Sequence, residues 1–207
     1  GNISFYDFLT GSNSMSCHKL EMANFQRNYV WKRKNIIALF TSITESINEV
    51  NTTSLYLGNI VIQRTYKGNI GSDFVVDGQQ RLITLSLIIK AILEKIGESK
   101  DCENVLFYEE NIPRIKFSRE KLNSAYESIL SNNQSISFLD DETKKTFLKN
   151  YKLIGSELRK IDDLNLFLEK IKTIEFIVIK CPSTHNVNQL FESLNSTGVD
   201  LTAGDLI

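Results

Sequence analysis

Five consecutive residues, Asp77, Gly78, Gln79, Gln80 and Arg81, place a carboxylate, a glycine, two carboxamides and a guanidinium between two apolar runs. The run before them, Phe74 to Val76, has strand character. From Gln79 to Ile96 the apolar residues fall on nearly every side of a helical wheel, as in a helix buried at the centre of a fold. A strand, an Asp-Gly turn and a helix start leave the first backbone N–H groups and the positive end of the helix dipole facing outward, where they can hold an anion. Gly78 permits close backbone approach. Arg81, one turn in, offers a bidentate contact to phosphate oxygens, and the amides of Gln79 and Gln80 can orient water or ligand oxygens. An architectural reading uses the same side chains: Asp77 caps the helix, Gln80 reaches back in a capping box, and Arg81 pairs with Asp77 four residues earlier.

Two further stretches carry polar chemistry. Asn24 to Lys34 concentrates Arg27, Lys32, Arg33 and Lys34 among Phe25, Tyr29 and Trp31, a mixture able to stack a base and neutralise phosphate. The same composition suits the start of a helix with its aromatics in the core and its cations solvated. Near the other end, Asn195, Ser196 and Thr197 fall where a helix stops at Gly198, so side-chain and main-chain groups there either reach a ligand or cap the helix. Thr202 and Asp205 have helix-start spacing. The two histidines, His18 and His185, lie in unrelated contexts, and no Ser-His-Asp order is evident.

Composition narrows the classes. With 24 basic and 25 acidic residues in 207, the net charge of −1 gives no bulk attraction to nucleic acid or anionic lipid, so any affinity for phosphate is local. Cys17, Cys102 and Cys181 are isolated and odd in number, which favours reduced thiols in a cytoplasmic protein over a disulfide framework. Two histidines argue against a Cys/His zinc site and leave a magnesium site on carboxylates and amides open. No apolar run approaches the ~20 residues that span a bilayer. Gly1 stands where a natural start has Met, and the chain stops at Ile207 as a helix begins, the pattern of a piece of a longer protein.

The elements that must position these residues follow from periodicity. Ile36, Phe40, Ile43, Ile47 and Val50 predict an amphipathic helix over about Lys32 to Val50. Leu55 to Arg64 reads as a strand interrupted by Gly58, and Ser72 to Asp77 as a second strand that pairs with it as a hairpin. Three helical stripes follow, Leu122 to Leu130, Phe147 to Ile161 and Leu164 to Ile171. Ile174 to Cys181 is a continuous apolar strand returning to a buried sheet, and Val187 to Leu194 a short helix. The element order is that of an α+β protein, with a core made of residues 1–96 and 173–207 and a helical insertion at 97–172.

Four motifs in this order, FQRNYVW, LGNIVI, VVDGQQRLITL and LFESLNSTGVDLTAGDLI, resemble the N-terminal domain of GmrSD-type restriction enzymes, a ParB/sulfiredoxin-like family. The resemblance covers roughly residues 19–96 and 174–207. It implies a small mixed sheet flanked by helices and a nucleoside triphosphate bound at the DGQQR turn and hydrolysed with Mg²⁺. It also implies an HNH-type nuclease domain, C-terminal or separate, and action on foreign or modified phage DNA through the full-length protein; a homo-oligomer stays open. Carried onto this chain, Asp77, Gly78, Gln79, Gln80 and Arg81 match the family's nucleotide motif, Gln26 and Arg27 its first motif, and Asn195 and Gly198 its last. The expected catalytic residues are Asp77, also toward the metal, Gln79, Gln80 and Arg81, and the expected nucleotide-binding ones Gln26, Arg27, Trp31, Gly78, Asn195 and Gly198. Prolines frequent in the family are replaced here by Ala23 and Asn28, and a frequent Arg by Thr197. A DNA-reading sensor module and a nucleotide-binding scaffold without turnover are the rival readings.

Overall fold

The computed structural model describes residues 1–22, 29–49, 54–132 and 142–182. The chain opens with strand β1 (Asn2–Ser4), helix α1 (Phe5–Thr10) and strand β2 (Leu20–Met22), followed by helix α2 (Arg33–Asn48). The hairpin β3 (Tyr56–Lys67) and β4 (Ile70–Asp77) leads into α3 (Gln79–Ile96). Then come α4 (Lys100–Leu106), β5 (Phe107–Glu109), β6 (Ile112–Pro113), β7 (Ile115–Phe117), α5 (Glu120–Leu130), α6 (Glu142–Leu158), α7 (Leu164–Lys172) and β8 (Glu175–Cys181). The class is α+β, as the element order predicts.

Six strands form one mixed sheet in the order β1-β8-β3-β4-β2-β7, and β5 and β6 pair separately. The β3–β4 hairpin is antiparallel, turning at Gly68, whose φ of +61° suits glycine. β8 returns parallel to β3, with Ile60 beside Val178, so the apolar run near the end of the described chain enters the middle of the sheet. The edges are β1 and β7, three residues each, which limits the unpaired backbone they present.

β3 and β4 were legible from their β-branched runs, and α3 spans the limits expected of it. α2 ends at Asn48 and buries Ile36, Leu39, Phe40 and Ile43. β1, α1, β2 and β7 gave no usable sequence pattern, because strands of three residues are too short to show a period of two. The segment 97–172 does carry helices, yet it also returns β7 to the sheet, parallel to β2 with Glu21 beside Lys116. Its helices join the same core. Phe117 of β7, Tyr126 of α5 and Phe147 of α6 meet with ring centroids 5.4–6.4 Å apart, and the Tyr126 hydroxyl donates to Ser86 of α3 at 3.1 Å. Each such buried aromatic contributes roughly 1.5–3 kcal/mol of transfer free energy, which accounts for α3 being covered on every face from Gln79 to Ile92. No helix among the described residues is long and apolar enough to cross a membrane, and the three cysteines are free thiols.

Candidate functional site

β4 ends at Asp77, and Gly78 turns the chain into α3. Gly78 is the helix N-cap with φ +95°, and a Cβ there would stand 3.2 Å from the Asn59 carbonyl oxygen and 3.3 Å from Ile60 Cγ1. Only glycine therefore fits between β3 and the start of α3. β3 is irregular at this point. Its register against β8 shifts between Tyr56 and Asn59, and Gly58 within that bulge has φ +98°. The bulge turns the Leu57 carbonyl toward α3, where Arg81 Nη1 donates to it. The guanidinium lies against Gly58, whose missing side chain makes room for it.

All four polar residues of the turn are buried: Asp77, Gln79, Gln80 and Arg81 are 1–8% exposed. Their partners replace the expected capping scheme. Gly78, not Asp77, is the N-cap and no side chain caps the helix. Gln79 Nε2 donates to the Val75 carbonyl at 2.8 Å, tying α3 back to β4. Gln80 Oε1 accepts from the backbone N–H groups of Val30 at 2.9 Å and Trp31 at 3.3 Å. Instead of closing a local box, Gln80 holds a segment fifty positions away in sequence.

That segment has two more anchors, neither marked by sequence. The Tyr29 hydroxyl and Thr84 Oγ1, one turn beyond Gln80, lie 2.8 Å apart, and Asn150 Nδ2 of α6 donates to the Trp31 carbonyl at 2.8 Å. Burial pushes the Tyr29 phenol up to about 12, so it stays protonated and able to donate. Its ring packs on Phe147 with centroids 4.8 Å apart, and Trp31 is 7% exposed within the hydrophobic core. Thr84, which with Ser86 and Lys90 interrupts the apolar run of α3, was the only signal available. Gln26 and Arg27, which precede this segment, and Asn195 and Gly198, together with His185, Ser196, Thr197, Thr202 and Asp205, lie outside the described residues.

Holding residues 29–31 against α3 has an electrostatic result. Trp31 leads directly into Lys32, the N-cap of α2, so the N-termini of α2 and α3 come together at the Gln80 amide. Neither helix has an acidic residue in its first turn. Lys32, Arg33 and Lys34 are exposed at the start of α2, and Arg81 stands one turn into α3. Two helix N-termini that meet at the Gln80 amide, with exposed cations at the start of α2, favour an anion. Asp77 is the carboxylate of the turn. Among the described residues no three or more His, Cys, Asp or Glu side chains cluster as metal ligands. This donor set suits Mg²⁺ held chiefly by phosphate oxygens and one carboxylate, and does not suit an all-protein metal cage.

The chain matches the family model described as GmrSD restriction endonuclease, N-terminal domain, over residues 6–207, so the match runs through the middle helices as well as both ends. An uncharacterized protein of Methanocaldococcus jannaschii is 27% identical over 224 aligned residues, which take in 91% of this chain and 38% of that protein. The chain thus spans well under half the length of that curated relative. With a mixed sheet, a DGQQR turn opening a buried helix, and a family match over nearly its whole length, the chain belongs to the GmrSD restriction endonuclease N-terminal domain family.

Proposed function

We propose that this chain is the nucleoside-triphosphate-binding and Mg²⁺-dependent hydrolysing domain of a restriction system that acts on foreign or modified DNA. One observation carries the reading: the paired N-termini of α2 and α3, locked together through Gln80, with Arg81 and Lys32 to Lys34 beside them and no acid in either first turn. The backbone N–H groups of the Gly78–Gln80 turn hold phosphate oxygens, and Arg81 neutralises the charge that grows as the terminal phosphoryl group leaves. Asp77 holds Mg²⁺ or orients the attacking water. Bound Mg²⁺ supplies charge neutralisation across the phosphates. Gln80 orients rather than reacts, since its amide oxygen is occupied by the backbone of Val30 and Trp31. Arg27 and Gln26 are proposed to approach the same phosphates, with Trp31, Asn195 and Gly198 nearer the nucleoside. An HNH-type nuclease domain, within the full-length protein or separate from it, is the proposed recipient of the signal.

The test is a titration of the four ribonucleoside triphosphates with Mg²⁺, following thermal stability and phosphate release. A triphosphate at ~100 times its dissociation constant stabilises the fold by roughly 2.7 kcal/mol. Arg81→Ala is expected to abolish phosphate release while remaining folded by circular dichroism. Absence of any melting shift with all four nucleotides refutes the nucleotide reading. A shift without phosphate release identifies a non-hydrolysing scaffold, and duplex DNA binding by the chain that is indifferent to nucleotide favours the sensor reading.

A further inference from the structure

About 15 Å along α3 from Gln80, by the rise of the helix, an open cavity of about 900 Å³ is bounded by α3, α4, the β5–β6 turn and the end of α5. Lys90 lines it. This lysine is only 4% exposed, and its ammonium makes no hydrogen bond or ion pair among the described residues. Its stem is buried while the ammonium keeps access to the cavity, so it is placed to receive an acceptor there. The rim has the opposite character. Glu94 of α3, Glu103 of α4, and Glu109 and Glu110 at the β5–β6 turn line it and are exposed. α3 and α5 also end there, at Gly97 and Ser131, which adds the negative ends of two helix dipoles.

These two features exclude simple ligands. A free phosphate or other compact anion that reached Lys90 would pass four carboxylates and two helix C-termini. A polyamine or a bare cation would satisfy the rim and leave Lys90 unmatched. What satisfies both is a ligand with several cations outside and a neutral or singly charged oxygen inside, and the volume is at the upper end for a ligand site. We propose that this cavity binds a basic polypeptide segment of a partner protein, its Lys or Arg side chains on Glu94, Glu103, Glu109 and Glu110 and a main-chain oxygen on Lys90. The site is independent of the nucleotide reading, being at the opposite end of α3.

The test uses the 207-residue chain and a fluorescein-labelled ten-residue peptide of alternating Arg and Ala, with a Glu-Ala peptide and spermine as controls. The wild-type chain is expected to bind the Arg-Ala peptide and not the Glu-Ala peptide, and spermine to compete poorly. The triple variant Glu103→Gln, Glu109→Gln, Glu110→Gln alters only exposed side chains and is expected to weaken binding at least tenfold. Lys90→Met discriminates most sharply. It removes a positive charge, so attraction of a basic peptide to a diffuse acidic patch would strengthen, whereas loss of a specific hydrogen bond weakens binding several-fold. Unchanged or tighter binding by Lys90→Met, equal displacement by spermine, or no effect of the triple variant overturns the proposal.

Discussion

Gly58→Ala should destabilise this protein far more than an alanine at an ordinary turn glycine, and through one identifiable side chain. The residue has φ +98°, and an added Cβ collides with Arg81 Nη1 while standing 3.3 Å from Cζ and 3.4 Å from Nη2. A non-glycine residue with left-handed backbone costs about 1–2 kcal/mol. Driving the guanidinium off the Leu57 carbonyl removes a charge-assisted hydrogen bond of about 1.5–3 kcal/mol, for a sum of about 2.5–5 kcal/mol. At about 2–4 °C per kcal/mol for a chain of this size, the melting temperature falls by roughly 5–20 °C. Gly68→Ala is the control. It has φ +61° and open space around the new Cβ, so only the backbone cost of about 1–2 kcal/mol applies. The assay is a double-mutant cycle by denaturant unfolding with Gly58→Ala, Arg81→Ala and the pair. With the arginine gone, Gly58→Ala should cost no more than Gly68→Ala, leaving a coupling of about 1.5–3 kcal/mol. Equal costs of Gly58→Ala with and without Arg81 refute the reasoning.

Gln80→Leu strips two backbone donors, those of Val30 and Trp31, of their acceptor and is expected to cost about 2–4 kcal/mol, with Trp31 emission shifting red as the segment loosens; a loss below 1 kcal/mol counts against the clamp. Asn150→Leu removes one bond to the Trp31 carbonyl and should cost about 1–3 kcal/mol, measured by the same unfolding assay. With a thiol-reactive dye in native buffer, Cys181 should label first, because Cys17 and Cys102 are 0–1% exposed whereas Cys181 is only half-buried; desolvation raises the pKa of all three. The Cys17 thiol is pushed up to about 11 in the fold from an ordinary 9.0, so its neutral form is favoured there; the stability this contributes is complete below pH 9 and is lost as the pH rises toward 11. A Cys17→Ser variant whose alkaline unfolding curve matches wild type in that window removes the assignment.

Local patterns carried much of the fold. A period near 3.6 places Ile36, Phe40 and Ile43 on one face, and β-branched runs mark β3, β4 and β8, because these signals depend on neighbours within a turn or two. The DGQQR turn was visible for the same reason, since a strand end, a glycine with positive φ and an apolar helix are adjacent in sequence. Sequence alone also brought out the family, later matched over residues 6–207.

What each side chain of that turn does was not legible. Gln80 with Asp77 nearby looks like a capping box on spacing, yet its oxygen meets backbone fifty residues away, and Asn150 reaches Trp31 across a separation of 119. Such partners are chosen by where the chain returns, and a glutamine or asparagine carries no mark of which distant N–H or carbonyl it will find. The short strands β2 and β7 are likewise recruited by the sheet edges they meet, three residues each being too few to declare themselves. Lys90 makes the same point: on a helical wheel it is one polar position among apolar ones. Only the packing of α4, α5 and the β5–β6 turn around α3 decides that its stem is buried and its ammonium lines an acid-rimmed cavity. The backbone's short-range sterics and hydrophobic periodicity are written residue by residue, whereas hydrogen bonds and charges acquire their roles from long-range proximity that exists only once the core has closed.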